Sequence, residues 1–589
     1  MVAVLTAEAL RVRSRGVTGP AAAGLRARPG SAMIRDTFVR DRLFAGIRVV
    51  GAMEAKTWSC RLAVVALLAA PLTACAPAAS ATGVAAEQDR PRLVVLLVVD
   101  QLRADLLDRY DDLFTGGFRR LRDGGYRFTQ AAHDHANTET APGHTTLATG
   151  VVPARHGIVA NDWYVTRDGR WRAFYNTADS TSPIVGAPTS AGRSPATLLR
   201  GGLADWVLAA DPAARIASVS RKDRAAIPMA GRARGEVYWL LPSAGRFVTS
   251  SHYRSDYPEW VERFNADSMP RILGDSVWQL AVPASAIARA WPDSFHFEAD
   301  TVHTTFPHRF PESGERQRFR DWVADYTPAP DVGVLGLVRE AIAALGLGAD
   351  AHTDYLAVSF SQADLLGHLY GPFSLEQLDN LMRLDRLIGE LLAVLDERVG
   401  RGRWVLALSA DHGVATTPEY RAATGMPGLR LGSRDIARMD SAVAGLAPEA
   451  ADFQDRVARA LEALPFVADV VTRAELERRE PPQDSFIRLF RNSWSPSRPN
   501  GLLFRLGMEL RWTEGTLQRS EPGGTSHGTP YWYDRHVPLV FYGSSIEPGA
   551  SAAPARTVDL APTLAALAGI AVPDDLDGRS LLPLMVRSR

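Results

Sequence analysis

A continuous apolar run at residues 92–99, rich in Val and Leu, constrains the fold more than any other stretch of the chain. Strands buried on both faces of a parallel sheet have this composition, because neither side of the strand contacts water. The run ends at Asp100, and polar groups that follow buried strands lie where open α/β sheets bind their ligands. Asp100 could instead cap a helix that begins at residues 101–103. The run predicts an α/β protein.

Three further apolar segments have the same arrangement of a short strand followed by polar residues, and they span residues 214–220, 354–360 and 404–409. The second of these precedes Asp364 and His368, which lie four residues apart and therefore share one face of a helical turn. The third is followed by Asp411 and His412. If the strands are parallel, we expect these side chains to meet at one edge of the sheet.

A set of metal ligands is predicted from these positions and from one histidine in a loop of small residues: Asp100, Asp364, His368, Asp411, His412 and His527. Carboxylates and imidazoles together suit zinc, which accepts oxygen and nitrogen ligands. Six ligands and a bridging hydroxyl fit two ions better than one. Two adjacent ions can polarise a phosphoryl oxygen and lower the pKa of an attacking hydroxyl. The sequence therefore predicts two Zn²⁺ ions as cofactors.

Thr140 is the predicted nucleophile, and it lies in a segment of small residues at 137–150. Pro142 suits the first turn of a helix, where its missing N–H would be unpaired in any case, and this would place Thr140 just before the helix. The free N–H groups and the positive end of the helix dipole form an anion site there. A bound metal would activate the hydroxyl, so Thr140 also counts as a metal-bound residue. The alternative is an ordinary N-cap threonine.

Asn161, Lys222 and Arg224 are predicted to bind the phosphate oxygens of the substrate. Lys222 and Arg224 follow the predicted strand at 214–220, and in an extended segment they would share a side-chain direction. Two such cations can bind a dianion, Arg through its planar fork and Lys as a point charge. Asn161 can donate its amide N–H to the phosphate. The alternatives are a turn residue for Asn161 and a solvated loop for the charged residues 221–224.

The first 90 residues differ in character from the rest of the chain. Residues 1–52 show no strong periodicity, and we expect a disordered or wrongly assigned N-terminal extension. Residues 53–75 have a basic start, a short apolar run and a final Leu-Thr-Ala-Cys, which is typical of a lipoprotein signal peptide. Residues 76–90 are a predicted flexible tether. We therefore expect an exported protein, either periplasmic or anchored in the outer membrane through a lipid on Cys75. An uncleaved N-terminal anchor is the alternative.

Cys60 and Cys75 are the only cysteines, and both lie in this leader, so the body has no disulfide, thiolate metal site or cysteine nucleophile. Lys and Arg number 66, as do Asp and Glu, so no basic excess indicates a nucleic-acid partner. We interpret residues 91–586 as a single catalytic domain with insertions at about 225–350 and 416–524. The first insertion, rich in aromatic residues, could cover a substrate cleft or form a surface subdomain.

The combined pattern resembles the alkaline phosphatase superfamily, in particular its type I phosphodiesterase/nucleotide pyrophosphatase-like branch with a threonine nucleophile. The residues that support the resemblance are Asp100, the segment 140–145, Asp364 with Gly367 and His368, the segment 411–413, and His527 with Gly528. The resemblance implies an α/β three-layer sandwich with a mostly parallel central sheet, helices on both faces and two insertions.

The resemblance also implies that the ligands divide between two zinc ions, one bound by Asp364, His368 and His527 and the other by Asp100, Asp411 and His412. Thr140 would bridge toward the phosphorus. The segment 161–163, together with Lys222 and Arg224, is similar to the phosphate-irrepressible bacterial alkaline phosphatases, which are monoesterases. A monoester carries two negative charges on its terminal oxygens, and two nearby cations would favour that dianion.

Three functions remain open at this point. The first is a monomeric phosphomonoesterase that acts on small-molecule phosphate monoesters through phospho-Thr140. The second is a phosphodiesterase or nucleotide pyrophosphatase on the same scaffold. The third is a surface binding protein that has lost catalysis, although such a protein need not keep all six ligands. A phosphonate- or phosphoglycerate-type enzyme is a further variant. A sulfatase is disfavoured, because the body has no cysteine nucleophile.

Overall fold

A nine-stranded sheet forms the centre of the protein. The computed structural model describes residues 90–274, 277–300, 302–309, 323–518 and 523–586. The β-strands of these residues are β1 (Leu93–Val99), β2 (Tyr126–Phe128), β3 (Ala131–Ala132), β4 (Asp162–Arg167), β5 (Arg170–Tyr175), β6 (Ile216–Ser220), β7 (Glu236–Leu241), β8 (Arg246–Val248), β9 (Val277–Trp278), β10 (His308–Arg309), β11 (Asp354–Phe360), β12 (Trp404–Ser409), β13 (Leu429–Leu431), β14 (Val467–Val471), β15 (Glu509–Trp512), β16 (Thr516–Gln518), β17 (Leu539–Gly543), β18 (Gly549–Ser551) and β19 (Ala555–Arg556).

The order of strands across the central sheet is β18-β2-β17-β12-β1-β11-β6-β7-β8. Five neighbours, from β12 to β7, run parallel. Antiparallel strands flank this block on each side, with β17 against β12 and β8 against β7. The prediction of a mostly parallel sheet is therefore confirmed.

Side chains of β1 alternate between two hydrophobic layers, one on each face of the sheet. Leu93, Val95, Leu97 and Val99 belong to one layer, and the intervening residues of the strand belong to the other. All seven residues are fully buried. Each such aliphatic side chain contributes about 1.5–3 kcal/mol on burial, which explains why a strand at this position contains no polar residue.

Helices cover both faces of the sheet, so the predicted three-layer architecture is confirmed. The α-helices of the described residues are α1 (Ala104–Arg109), α2 (Gly117–Gly124), α3 (Thr140–Thr149), α4 (Pro153–His156), α5 (Leu203–Ala210), α6 (Asp223–Met229), α7 (Glu259–Asp267), α8 (Met269–Ile272), α9 (Ala329–Leu345), α10 (Gln362–Tyr370), α11 (Leu375–Leu395), α12 (Pro418–Ala423), α13 (Ser433–Val443), α14 (Phe453–Glu462), α15 (Arg473–Glu477), α16 (Ser485–Ser493), α17 (Trp532–Arg535) and α18 (Leu560–Leu567). Helices α2, α9 and α11 pack on one face, and α3, α5 and α18 pack on the other.

The two segments interpreted as insertions differ in how they relate to the central sheet. Part of the first, about 225–350, belongs to the sheet itself, because β7 and β8 form one of its edges and α9 packs on its face. The second, about 416–524, has small two-stranded sheets of its own, β13 with β16 and β14 with β15. It also has a separate hydrophobic cluster that includes Met439, Val457 and Phe466.

The predicted leader, residues 1–52 and 53–75, lies outside the described residues, as does the tether up to residue 89. Within the part of the chain that is described, we find no helix with the length and apolar character needed to cross a membrane.

Candidate metal centre

The predicted polar residues meet at the carboxyl edge of the parallel strands. Asp100 directly follows β1, Asp411 and His412 follow β12, and Asp364 lies in the first turn of α10 after β11. These three strands are neighbours in the sheet, with β1 in the middle, so their carboxyl ends lie side by side. The strand order, which does not follow the order of the chain, thus brings together residues that are some 300 positions apart.

Carboxylates and imidazoles converge there in two groups that share one histidine. Asp100, Asp411 and His412 offer ligand atoms within 4.8 Å of one another, and so do Asp364, His412 and His527. His412 Nε2 lies 3.6 Å from Asp100 Oδ1 and 3.5 Å from Asp411 Oδ2. His527 stacks on His412 with a ring-centroid distance of 3.6 Å.

His368 lies beside Asp364, as does His527. His368 Nε2 lies 3.2 Å from Asp364 Oδ1, and His527 Nε2 lies 3.6 Å from the same oxygen. The predicted grouping joined His368 and His527 to Asp364, whereas the structure puts His412 in that group of mutually close atoms. His368 adjoins the centre at Asp364, and its role as a ligand stays a prediction.

Backbone carbonyls orient all three imidazoles. The Nδ1 atoms of His368, His412 and His527 lie 2.9, 2.9 and 2.7 Å from carbonyl oxygens. The carbonyls belong to Thr525, Gly413 and Thr138. Since a carbonyl only accepts, each Nδ1 carries a proton and donates it, and each Nε2 points toward the carboxylates. This tautomer is the one that metal-binding histidines adopt.

Buried polar atoms without hydrogen bonds mark the same place. Oδ1 of Asp100 and Nε2 of His412 are buried and make no hydrogen bond within the described residues, whereas Oδ2 of Asp100 and Oδ2 of Asp411 have the cationic or polar partners Lys222 and His144. Buried polar groups are normally paired, and buried charges normally pair with an opposite charge or a metal. The donor set thus fits a divalent cation, with oxygen and imidazole ligands of the kind that zinc accepts.

Lys222 supplies the positive charge closest to these carboxylates. Its Nζ lies 2.6 Å from Asp100 Oδ2 and 2.6 Å from Asp364 Oδ2, and its side chain is almost completely buried. Burial raises the pKa of Asp100 well above its usual value, and the neighbouring Asp411 adds to this. Burial acts on Asp364 in the same direction, but Lys222 and His368 outweigh it and hold the pKa of Asp364 well below its usual value.

Lys222 and Arg224 do not share a side-chain direction, contrary to the prediction. Helix α6 begins at Asp223, so Arg224 already lies in helical backbone, where residues two apart point to different sides. Arg224 Nη1 donates to the hydroxyl of Tyr175 at 3.4 Å. Tyr175 in turn donates to Asp223 Oδ1 at 2.6 Å. Arg224 is thus positioned through this network, whereas Lys222 contacts the carboxylates directly.

Thr140 is the first residue of α3, rather than the residue before it, and it is almost fully buried. The start of α3 packs tightly against the metal centre: a Cβ on Gly143 would lie 2.1 Å from the carbonyl oxygen of Asp411. The side chain of the N-cap residue, Glu139, does not cap this helix. Instead, the N–H of Ala141 donates to Asn161 Oδ1 at 2.9 Å. The first turn of α3 and Asn161 are therefore joined beside the carboxylates.

Two further residues contact the centre and were missed by the sequence reasoning. Gln101 donates its backbone N–H to Asp411 Oδ1 at 3.0 Å and its Nε2–H to Asp364 Oδ1 at 2.6 Å, which links both ligand groups. His144 Nδ1 lies 3.1 Å from Asp411 Oδ2, and its Nε2 lies 2.8 Å from Ser359 Oγ. The available signals were weak: Gln101 adjoins Asp100, and His144 follows Thr140 by one helical turn.

Comparisons with known proteins agree with this geometry. The sequence matches the family described as type I phosphodiesterase / nucleotide pyrophosphatase over residues 94–500. It is 31% identical to alkaline phosphatase PafA of Elizabethkingia meningoseptica over 524 residues, which cover 85% of this chain and 95% of PafA. It is also 31% identical to alkaline phosphatase PhoK of a Sphingomonas species over 526 residues, covering 83% of this chain and 91% of PhoK.

The fold agrees as well. The crystal structure of wild-type PafA superposes with a TM-score of 0.75 at 30% identity, covering 84% of this chain and 98% of PafA. The fold and the buried donor set define a metal-dependent phosphoesterase with the alkaline phosphatase fold. The chain belongs to the type I phosphodiesterase/nucleotide pyrophosphatase family.

Proposed function

We propose that the protein hydrolyses phosphate monoesters of small molecules through a covalent phosphothreonine at Thr140, with two Zn²⁺ ions as cofactors. The main support is the pair of ligand groups that share His412, beside which helix α3 begins at Thr140. We assign the ions to Asp100, Asp364, His368, Asp411, His412 and His527, with Thr140 as the residue that bridges to the phosphorus.

The reaction takes two displacements at phosphorus. Thr140 Oγ1 attacks the phosphorus, the bond between phosphorus and the ester oxygen breaks, and the departing oxygen takes a proton to leave as the alcohol. Water then attacks the phosphothreonine, which releases inorganic phosphate and restores the Thr140 hydroxyl. When bound, the ions would supply Lewis acidity and lower the pKa of this hydroxyl.

The protein's own groups orient the transferred phosphoryl group. The N–H of Ala141 fixes the Oδ1 atom of Asn161, so the Asn161 Nδ2 group is the one available to donate to a phosphate oxygen. The N-terminal end of α3 adds the positive end of its dipole. Lys222 adds a full positive charge within the site, and Arg224 adds a second one in the adjoining network. These charges match the dianion of a monoester better than the single charge of a diester.

The relatives support this choice. Those reported above are named alkaline phosphatases. A solved variant of PafA replaces a threonine, an asparagine, a lysine and an arginine together, in that order along its chain. The same four residue types occur in the same order here as Thr140, Asn161, Lys222 and Arg224.

A substrate panel tests the proposal. We expect p-nitrophenyl phosphate to have a higher kcat/KM than the matching diester or sulfate ester, and chelation to abolish turnover. Lys222→Ala should lower kcat/KM for the monoester by about 10- to 100-fold more than for the diester. The reason is that the monoester has a second negative charge that interacts with Lys222, and the diester lacks this charge. Arg234→Ala, an exposed cation on the same part of the chain, serves as the control and should change neither.

A phosphodiesterase or nucleotide pyrophosphatase is the second candidate, and the description of the matching family favours it. A diester with the higher kcat/KM, together with equal losses for both substrates in Lys222→Ala, would select this candidate over the first.

We also propose that the chain is exported as a monomeric lipoprotein, with lipid on Cys75, a tether at 76–90 and a single catalytic domain at 91–586. The Leu-Thr-Ala-Cys sequence at 72–75 supports lipid attachment to Cys75, and the Ala, Ser and Gly residues of the tether support its flexibility. Metabolic labelling with a fatty acid should mark the wild type, and Cys75→Ser should abolish the label. Unlabelled wild-type protein in a membrane fraction would favour an uncleaved anchor.

A further inference from the structure

A cavity of about 170 Å³ lies directly beside the metal centre. One side of it is formed by Asn137 and Glu139, which lead into α3, and by His527. The opposite side comes from the second insertion and includes Glu509, Arg511 and Trp512 of β15. Because the cavity contacts both a proposed metal ligand and the segment of the nucleophile, a group attached to the transferred phosphorus can extend into it.

Glu509 is the acidic group of this wall that has no partner among the described residues. Its carboxyl group makes no hydrogen bond or ion pair with the residues that the structure describes, and it lines the cavity. Burial raises the pKa of Glu509 to about 8, so at neutral pH the group is mostly a carboxylic acid. A protonated carboxyl both donates and accepts hydrogen bonds, as the hydroxyl groups of a ligand require.

The positive charge in the same wall is directed to protein partners. Arg511 Nη2 lies 3.6 Å from Asp469 Oδ2, and its Nη1 lies 3.5 Å from the Tyr531 hydroxyl. On the other side, Glu139 Oε2 accepts from the N–H of Asn161 at 2.6 Å. The guanidinium of Arg511 is thus paired with an acid of the protein, and the Glu139 carboxylate opposes a second negative charge in the cavity.

Aromatic rings complete the lining with flat, rigid surfaces. Trp512 and Tyr531 line the cavity, and the Tyr531 hydroxyl donates to the carbonyl oxygen of Trp512 at 2.6 Å. Tyr164 also lines it and stacks on Phe504 with a centroid distance of 3.6 Å. Aromatic faces combined with a few neutral hydrogen-bonding groups suit a ligand that is neutral and bears hydroxyl groups on a carbon framework.

We propose that this cavity binds the alcohol part of the substrate, and that the alcohol is a neutral polyol or sugar rather than a group with a second phosphate. This inference rests on the proposed phosphomonoesterase function. It assigns the second insertion a role in substrate selection, with Glu509 and Trp512 as specificity-determining residues.

Two comparisons of kcat/KM test it, with methyl phosphate as a reference because its methyl group offers no hydrogen-bonding group to Glu509. In the wild type, inositol monophosphate should exceed inositol bisphosphate by about tenfold, a comparison that needs no variant. Glu509→Met should lower the ratio of inositol monophosphate to methyl phosphate by about tenfold through the lost hydrogen bonds, and Glu509→Gln should restore most of it. Glu449→Met, an exposed position of the same insertion, is the matched control and should leave the ratio unchanged.

Equal ratios in Glu509→Met and Glu449→Met, or equal turnover of the two inositol phosphates by the wild type, would overturn the assignment of the cavity while leaving the phosphatase function intact. Wild-type protein with bound metal that hydrolyses neither methyl phosphate nor inositol monophosphate would instead overturn the function on which the assignment rests.

Discussion

Two buried clusters of this protein contain the same residue types but differ in what their side chains face. One is the metal centre. The other, here called the second cluster, consists of Glu298, Asp300, His303, His308 and Glu376. In the second cluster the imidazoles pair with carboxylates, since His303 Nδ1 lies 2.8 Å from Asp300 Oδ2 and His308 Nε2 lies 3.1 Å from Glu376 Oε1. In the metal centre each histidine Nδ1 donates to a backbone carbonyl oxygen, and the Nε2 atoms face the carboxylates.

The difference teaches that residue type alone does not make a metal site. Within the described ranges, three or more such ligand atoms come within 4.8 Å of one another in two groups, and both belong to the metal centre. There, strand ends aim carboxylates at one point, and Lys222 offsets their charge. In the second cluster no Lys or Arg of the described residues forms an ion pair with Glu298 or Glu376. Burial, followed by the neighbouring Glu376, raises the pKa of Glu298 to about 10.

The nucleophile gives the largest expected effect. Thr140→Ala should lower kcat/KM for p-nitrophenyl phosphate by about a thousandfold or more, because no hydroxyl remains to form the covalent intermediate. Metal content, measured by mass spectrometry of the purified protein, should stay unchanged, since the carboxylates and imidazoles are intact. Near-full activity in this variant would exclude Thr140 as the nucleophile.

A ligand substitution distinguishes the two clusters directly. Asp411→Asn should reduce bound metal and lower kcat/KM by more than about 100-fold, because an amide replaces a charged ligand. The matched change in the second cluster, Glu376→Gln, should leave metal content and kcat/KM unchanged. Loss of metal in Glu376→Gln would show that the second cluster also binds a cation, and the contrast drawn above would be wrong.

Substitution of Gln101 tests the residues that hydrogen-bond to the proposed metal ligands. Its side chain donates to Asp364 and its backbone to Asp411, so Gln101→Ala removes only the side-chain bond. We expect a 10- to 100-fold weaker apparent metal affinity in a chelator competition, of the size seen when a partner of a ligand is removed. Asn380→Ala, a buried amide on α11, is the control. The same loss in both variants would indicate a general packing defect.

The smallest effect concerns stability and pH in the second cluster. An unfolded glutamate titrates near ~4.3, whereas folding raises the pKa of Glu298 to about 10. Between these values the folded protein keeps a proton that the unfolded chain has released. The stabilising contribution is therefore fully present below the unfolded pKa and is lost as the pH rises toward 10, by at most ~1.4 kcal/mol per pH unit.

Glu298→Gln cannot release this proton, so its Tm relative to the wild type should increase between pH 6 and pH 9. Differential scanning calorimetry of both proteins at several pH values measures this. A Tm difference that stays constant over the range would show that Glu298 is ionised in the folded protein.

Several features could be predicted from sequence because one local cause dominates each of them. Strand β1 is buried on both faces, and its composition follows from that alone. Strand β7 of the central sheet falls within a segment that the sequence predicts to be an insertion, since Tyr238 and Trp239 within it are typical of many environments. The shared direction predicted for Lys222 and Arg224 failed because α6 begins between them, and no strong cap or periodicity marks that start.

The sequence by itself determined the kinds of groups that the site uses: carboxylates and histidines after buried strands, a threonine at the start of a helix, and no cysteine in the body. Only the tertiary structure decided how these groups combine. The strand order places β12 and β11 on either side of β1, so that His412 belongs to both groups of ligand atoms. Distances between residues hundreds of positions apart depend on that order, and a linear pattern of residues does not contain it.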